Sequence, residues 1–128
     1  MRRLLAEMRP ELQEGEYVFC TASPESFRRL KIEPIGWFRE EEGISFIVER
    51  DVADAAGLKY DFVCRMITLS VHSSLHAVGF LAAVTGRLAS AGISVNPVSA
   101  YHHDHLFVPA DAAERAMKLL AELQSEQA

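Results

Sequence analysis

Residues 66–103 read MITLSVHSSLHAVGFLAAVTGRLASAGISVNPVSAYHH and are almost free of charged side chains. Arg87 is the only Asp, Glu, Lys or Arg within it, whereas the other 30 of the chain's 31 such residues lie outside. Its hydrophobic pattern predicts a strand, a helix and a second strand, at residues 66–72, 75–91 and 93–101. The stretch therefore predicts a buried core, with the hydroxyl pair Ser73 and Ser74 at its first turn.

The same order of elements extends over the rest of the chain. Strand-like runs alternate with short helical runs, so that residues 16–71 read βαββαβ and residues 62–124 read βαββα. This order favours an α+β protein of ferredoxin-like arrangement, with antiparallel sheets and helices on one face. We expect an N-terminal module over residues 1–64 and a C-terminal module over residues 65–128.

Local signals indicate where two helices outside the apolar stretch begin. Ser23 followed by Pro24 is typical of an N-cap and the first helical position. Asp111 with Glu114 has the spacing of a capping box, which predicts a final helix over residues 112–123.

The composition excludes several classes of protein. Of the 128 residues, 49% are hydrophobic and 24% are charged, and the net charge of −5 is not that of a nucleic-acid-binding protein. The apolar run from Met66 to Gly86 contains hydroxyl and histidine side chains, so we expect no transmembrane span. The N-terminus lacks the apolar core of a signal peptide. We expect a cytoplasmic protein that binds neither nucleic acid nor membrane.

The predicted helix over residues 75–91 is apolar around about half of its circumference. Its stripe consists of Leu75, Val78, Leu81, Ala82, Leu88 and Ala89, extended by Ala77, Phe80, Val84 and Ala91. A helix that covers a single sheet needs a narrower stripe. The excess is explained either by cover from the other module or by a homodimer contact through this helix.

The segment VHSSLHAVGFLAAVTGRLASAGISVNPVSAYHHDHLFVP resembles the ACT domain, a βαββαβ regulatory module that binds amino acids. The resemblance lies in the first strand, the short polar loop, the small residues of the helix and the turn into the second strand, Ala91-Gly92-Ile93. Over about residues 3–124 the chain is similar to small bacterial tandem-ACT proteins without a settled activity. It is more distantly similar to the tandem-ACT arginine sensors of animal cells. The resemblance implies two ACT modules.

The loop before the predicted helix suits a carboxylate. The free amides of a first helical turn and the hydroxyls of Ser73 and Ser74 together would form an anion site, although one serine could simply cap the helix. Asn96-Pro97 indicates an edge or bulged strand that turns Asn96 toward the same corner, or a plain edge-blocking proline. ACT proteins bind between these two elements, which gives the expected ligand-binding residues: His72, Ser73, Ser74, Leu75, Asn96, Pro97 and Val98.

The loop departs from the ACT family in one respect. ACT ligand loops often contain a D-x-x-G pattern, whereas residues 72–76 read HSSLH and provide no acid to hold an α-amino group. The ammonium of an amino acid would then need another acceptor, such as the side-chain oxygen of Asn96 or a backbone carbonyl.

Motifs of catalysis and of metal binding are weak. In Tyr101-His102-His103-Asp104-His105 only His103 and His105 lie on one strand face, so a metal would also need a distant histidine. No third group orients a serine–histidine pair, and no Gly-rich phosphate loop is present. Cys20 and Cys64 lie in apolar runs, which favours buried thiols. We expect no enzyme, no metal and no cofactor.

The sequence thus predicts a regulatory or sensor protein without catalytic activity, which binds an amino acid or a related small carboxylate. The alternative is a homo-oligomeric protein-interaction module without a metabolite ligand. A metalloprotein built on the histidine turn is a third hypothesis.

Overall fold

A computed structural model describes residues 1–127 of the chain. Over these residues the helices are α1 (Arg2–Glu7), α2 (Pro24–Leu30), α3 (Arg50–Ala55), α4 (Phe80–Ser90) and α5 (Ala113–Ser125). The strands are β1 (Pro10–Leu12), β2 (Tyr17–Ala22), β3 (Gly36–Glu40), β4 (Gly43–Glu49), β5 (Val63–Leu69), β6 (Asn96–Ser99) and β7 (Asp104–Pro109). A 3-10 turn over Ala110–Ala112 precedes α5.

The chain divides into two compact units. The continuous unit spans Gly15–Cys64, and the discontinuous unit combines Met1–Glu14 with the chain from Arg65 onward. The first 14 residues thus belong to the discontinuous unit, and the division into modules at residues 64 and 65 stays a prediction.

Helices cover one face of the sheet in the discontinuous unit. β1 pairs with β5 in antiparallel fashion, β7 lies beside β5, and β6 pairs antiparallel with β7. Alternate residues of β5 and β7 share one buried cluster with all three helices of the unit. The members of this cluster from strands and helices include Ile67, Leu69, Leu106, Val108, Leu5, Phe80, Val84, Leu88 and Leu120. The period of two along each strand places these side chains on the same face.

The continuous unit follows the same plan. β2, β4 and β3 pair in antiparallel order, and the first two residues of β5 pair with β2. The buried cluster takes alternate residues of β2 and β4 together with Ala53 of α3, and α2 packs against it. At the start of β4, directly after the turn from β3, Gly43 has φ of 150°, and a Cβ there would lie 2.7 Å from the carbonyl oxygen of Ala22. The predicted α+β class with antiparallel sheets is therefore confirmed.

The two predicted helix starts have different outcomes. The Ser23 hydroxyl accepts a hydrogen bond from the Ser26 amide at 3.1 Å, and Pro24 is the first helical residue, as predicted. The capping box of Asp111 is wrong, because Asp111 lies inside the 3-10 turn and Ala112 occupies the N-cap position without a side-chain bond.

The predicted helix over residues 75–91 begins too early. α4 starts at Phe80, because Gly79 has φ of 88°, a left-handed conformation that interrupts the helix before it. Leu75 and Val78 lie in the preceding loop with 66% and 86% of their surface exposed. The wide stripe that includes these two residues is therefore wrong, and the homodimer contact through the helix stays a prediction.

The buried side of α4 is narrow and regular. Phe80, Val84 and Leu88 recur every four residues and are almost fully buried. The helix ends at the Ala-Gly-Ile turn, where Gly92 has φ of 77° and the Ile93 amide donates to the carbonyl of Leu88 at 3.0 Å. Among residues 1–127 no helix combines the length and apolarity needed to cross a membrane.

Candidate functional site

The loop between β5 and α4 borders a cavity of about 130 Å³ in the discontinuous unit. Its lining comes from this loop, from the first turn of α4 and from the β6–β7 hairpin: Ser73, Ser74, Leu75, Ala77, Phe80, Leu81, Ser99 and Asp104. Three of the seven predicted ligand residues, Ser73, Ser74 and Leu75, are therefore brought to one cavity.

Neither serine caps α4, which was the alternative to ligand contact, because Gly79 occupies the N-cap position. The Ser74 hydroxyl accepts a hydrogen bond from the His76 amide at 3.0 Å, and the Ala77 amide donates to the Ser74 carbonyl at 3.0 Å. Ser74 thus closes a separate small turn, as serine side chains often do outside helices. The hydroxyl proton of Ser74 is not used in that bond and is available to a ligand.

The N-terminal end of α4 also reaches the cavity. Phe80 and Leu81 line it and are the first two residues of the helix. Amides in the first turn of a helix have no partner within it, and the helix dipole makes this end positive. The wall formed by the serine hydroxyls and the start of α4 therefore favours a negatively charged group.

Asp104 provides the acid that the loop lacks. This side chain is only 7% exposed, and its Oδ1 atom accepts a hydrogen bond from the Ser99 hydroxyl at 2.6 Å. Ser99 and Asp104 face each other in the register of β6 and β7. A buried carboxylate with one hydroxyl partner is unfavourable without a cation. The carboxylate of Asp104 therefore favours a positively charged group in the cavity.

Sequence reasoning missed Asp104 and Ser99. Asp104 directly follows the stretch of low charge that ends at His103, and this position is the one available signal. The hairpin register that joins Asp104 to Ser99 places both at the cavity, and no spacing rule gives that register without the fold.

The other predicted ligand residues do not line this cavity within residues 1–127. Asn96, Pro97 and Val98 are exposed on β6, and Asn96 pairs with Phe107, three positions along the strand from Ser99. Three residues of a strand span roughly 10 Å. β6 is the last strand in its sheet order, which confirms the predicted edge position of Pro97. His72 lines a different cavity of the same unit.

Four histidine rings of the discontinuous unit lie close together, namely His72, His102, His103 and His105. Ring centroids are 4.9 Å apart for His72 and His103, and 6.5 Å apart for His103 and His105. In the described part of the chain, no group of three His, Cys, Asp or Glu side chains has a geometry that could hold a metal ion. Each histidine is therefore better understood through its hydrogen bonds and packing.

His105 belongs to a short hydrogen-bonded chain. The Gln13 amide Nε2 donates to the Thr68 hydroxyl at 3.1 Å, and that hydroxyl lies 3.0 Å from His105 Nδ1. The hydroxyl can donate to Nδ1 only when the nitrogen carries no proton. Burial lowers the pKa of His105 below its usual value, and the nearby charge of His103 lowers it further. This arrangement therefore favours the neutral ring.

Two protein-family models match the sequence. Models of the ACT domain match residues 1–65 and residues 61–122. The chain belongs to the ACT domain family. This confirms the predicted tandem-ACT arrangement, in which each module is ferredoxin-like. ACT domains are regulatory modules that typically bind amino acids.

Solved structures extend the comparison to the whole chain. A Vibrio cholerae protein of unknown function, described as a possible transport protein, is 43% identical with a TM-score of 0.86, over 96% of this ACT protein and 94% of that chain. An Agrobacterium tumefaciens protein is 18% identical with a TM-score of 0.71, covering 90% and 87% of the two chains. The ligand-free regulatory subunit of aspartate kinase from Thermus thermophilus is 12% identical with a TM-score of 0.66, covering 89% and 95%. The last two likenesses show the fold alone. No curated protein matches the sequence.

Proposed function

We propose that this ACT protein is a regulatory protein that binds a small amino acid in the 130 Å³ cavity and has no catalytic activity. The observation that carries the proposal is the buried carboxylate of Asp104 in a cavity that is also lined by the start of α4 and by Ser73 and Ser74. Membership of a family of regulatory modules supports it.

The carboxylate of Asp104 and the hydrogen-bond donors of the lining match the two ends of a zwitterion. The ammonium of an amino acid would donate to Asp104, whose Ser99 bond uses Oδ1. The carboxylate would accept from the first-turn amides of α4 and from the hydroxyls of Ser73 and Ser74. Asp104 therefore replaces Asn96 as the expected acceptor of the ammonium.

The size of the cavity limits the ligand. Pockets for drug-sized ligands hold about 300–1,000 Å³, whereas this cavity holds about 130 Å³. A ligand of a few heavy atoms, such as glycine, alanine or serine, fits better than a long side chain. A longer side chain would have to project from the cavity past the exposed Leu75.

Regulation would pass through the loop over residues 70–79. This segment has no helix or strand and contains both ligand-facing serines. A ligand that binds one arrangement of the loop better than another shifts the population toward it. We further propose a cytoplasmic protein whose modules divide at residues 64 and 65, which the family matches to 1–65 and 61–122 support.

A second candidate is the homo-oligomeric interaction module. Three apolar side chains around the loop are highly exposed, namely Leu75 at 66%, Val78 at 86% and Tyr101 at 79%. Exposed apolar side chains close together are typical of protein contacts. A homodimer could form through this surface, and it is compatible with ligand binding nearby.

Thermal unfolding against a panel of ligands tests the proposal. The panel contains glycine, alanine, serine, leucine and arginine, with acetate and methylamine as the two separate halves of a zwitterion. A ligand at 100 times its dissociation constant adds about 2.7 kcal/mol of stability. We expect a selective rise for one or more small amino acids, and a much smaller effect of either half.

The oligomeric state decides between the two candidates. A flat panel, together with a dimer that Val78→Glu dissociates, would replace the ligand-binding proposal with the interaction module. A selective rise in stability that survives in Val78→Glu would support ligand binding independently of assembly.

A further inference from the structure

A second and larger cavity lies in the discontinuous unit. It holds about 650 Å³ and is open to solvent at the end of α1, beside the residues that follow β5. Its polar lining consists of Arg3, Glu7, Arg9, Ser70, His72 and Gln124. It shares no lining residue with the smaller cavity, and its volume falls in the range of metabolite pockets.

The lining of this cavity is positively charged, whereas the whole chain is negatively charged. Arg3 and Arg9 contribute two guanidinium groups and Glu7 one carboxylate, so the lining carries a formal charge of +1 in a chain of −5. Within the described residues, none of these three side chains forms an ion pair or hydrogen bond with another residue. Both guanidinium groups are thus available to an anion.

Ser70 adds a buried hydroxyl that has no partner. Its Oγ atom is shielded from solvent, and no hydrogen bond satisfies it in the described part of the chain. Buried hydroxyl groups are nearly always hydrogen-bonded, and an unsatisfied one needs an explanation. Because Ser70 lines the cavity together with Arg3, Arg9 and His72, a ligand oxygen is a suitable partner for this hydroxyl.

Hydrogen bonds to backbone carbonyls fix the segments that line the cavity. Arg9 has φ of 39°, which is unusual for a residue with a side chain. The carbonyl of Met8 accepts from the amides of Ser70 and Val71, at 2.7 and 3.3 Å, and this holds the turn at Arg9 against the end of β5. The side-chain amide of Gln124, which also lines the cavity, donates to the carbonyl of Ala6 at 2.9 Å. These contacts hold the arginine-bearing segment in place before any ligand arrives.

We infer that this cavity binds the oxyanion group of a small metabolite, a phosphate or a carboxylate, through Arg3, Arg9 and the Ser70 hydroxyl. Guanidinium groups bind both oxyanions with paired, charge-assisted hydrogen bonds. The Ser70 hydroxyl donates a further bond. Glu7 restricts the site to a ligand of low negative charge, or to one that carries a donor group beside its oxyanion.

Isothermal titration with inorganic phosphate and with succinate, at constant ionic strength, tests the inference and identifies the source of the oxyanion. The variants are Arg3→Gln, Arg9→Gln and Ser70→Ala. Arg2→Gln is the matched control, because Arg2 lies on the same helix outside the cavity lining. Loss of one charged hydrogen-bond donor weakens binding about tenfold or more, and we expect this for either cavity arginine but not for the control.

Every result of this titration either supports or overturns the inference. Binding of phosphate alone assigns a phosphorylated ligand, and binding of succinate alone assigns a carboxylate. Absence of binding for both probes, or equal weakening in Arg2→Gln, overturns the inference. Ser70→Ala should weaken binding without lowering the stability of the free protein, because its hydroxyl has no partner there.

Discussion

The variant Asp104→Asn tests the role of the buried carboxylate most directly. An asparagine oxygen can still accept the Ser99 hydrogen bond of 2.6 Å, so the substitution removes the charge and changes the shape little. Loss of one partner of a buried charged pair costs about 2–5 kcal/mol of binding energy. An asparagine oxygen can also still accept from the ammonium, so we expect the lower end, about 2 kcal/mol or a roughly thirtyfold weaker affinity for the amino acid.

The stability of the free protein should move in the other direction. Asp104 is 7% exposed and its side-chain hydrogen bond is to Ser99, so burying its charge without a ligand carries a desolvation cost. A neutral side chain relieves this cost. We expect the free energy of unfolding to stay within about 0.5 kcal/mol or to rise. A group kept for binding, rather than for folding, has this combination of effects.

Titration calorimetry of the bound amino acid and urea unfolding of the free protein measure the two effects. Asp111→Asn is the matched control, since it makes the same chemical change at an exposed position outside the cavity. Unchanged affinity in Asp104→Asn would refute the assignment of the ammonium site. A loss of more than about 1 kcal/mol of stability would show that Asp104 has a structural role instead.

Three further predictions concern the core, the histidine chain and the thiols. Leu88→Ala should lower the free energy of unfolding in urea by about 2–5 kcal/mol because Leu88 is fully buried. Leu75→Ala should change it by no more than about 0.5 kcal/mol because Leu75 is exposed. Equal losses in the two variants would contradict the start of α4 at Phe80. Because the pKa of His105 is lowered in the folded state, its contribution to stability is present above about pH 6.5 and is lost as the pH falls below that value. His105→Gln should therefore flatten the dependence of unfolding free energy on pH in this range, and an unchanged slope would count against it. Burial raises the pKa of Cys64 to about 12 and also raises that of Cys20. Both thiols should therefore react slowly with a thiol reagent in the native protein and rapidly in denaturing guanidinium. A fast reaction of the native protein would disprove their burial.

Local signals in the sequence were sufficient for much of the fold. The N-cap at Ser23 and the helix start at Pro24 depend on neighbouring residues, and both were predicted at their observed positions. Such features are encoded within a few residues of each other.

Features that depend on distant partners were not predictable. β1 has three residues and begins with Pro10, so it has no strand pattern of its own, and it forms only by pairing with Leu69 and its neighbours. The start of α4 was placed at Leu75 because residues 75–79 are as apolar as the helix. The left-handed conformation of Gly79 that excludes them is a property of the folded backbone. Asp104 likewise acquires its role from the hairpin register.

The last prediction concerns communication between the two cavities. Ser70, Val71 and His72 line the larger cavity, and Ser73, Ser74 and Leu75 line the smaller one, so a single six-residue segment without helix or strand borders both. A ligand that fixes one half of this segment changes the conformations open to the other half. If both proposed ligands bind, the amino acid should change the affinity for the oxyanion, and linkage requires the oxyanion to change the affinity for the amino acid by the same factor. Titration of each ligand in the absence and presence of the other measures this factor. A factor of one would show that ligand binding at one site does not affect the other. In that case each half of the segment is already fixed by its own hydrogen bonds, those of Ser70 with Met8 and those of Ser74 with His76 and Ala77.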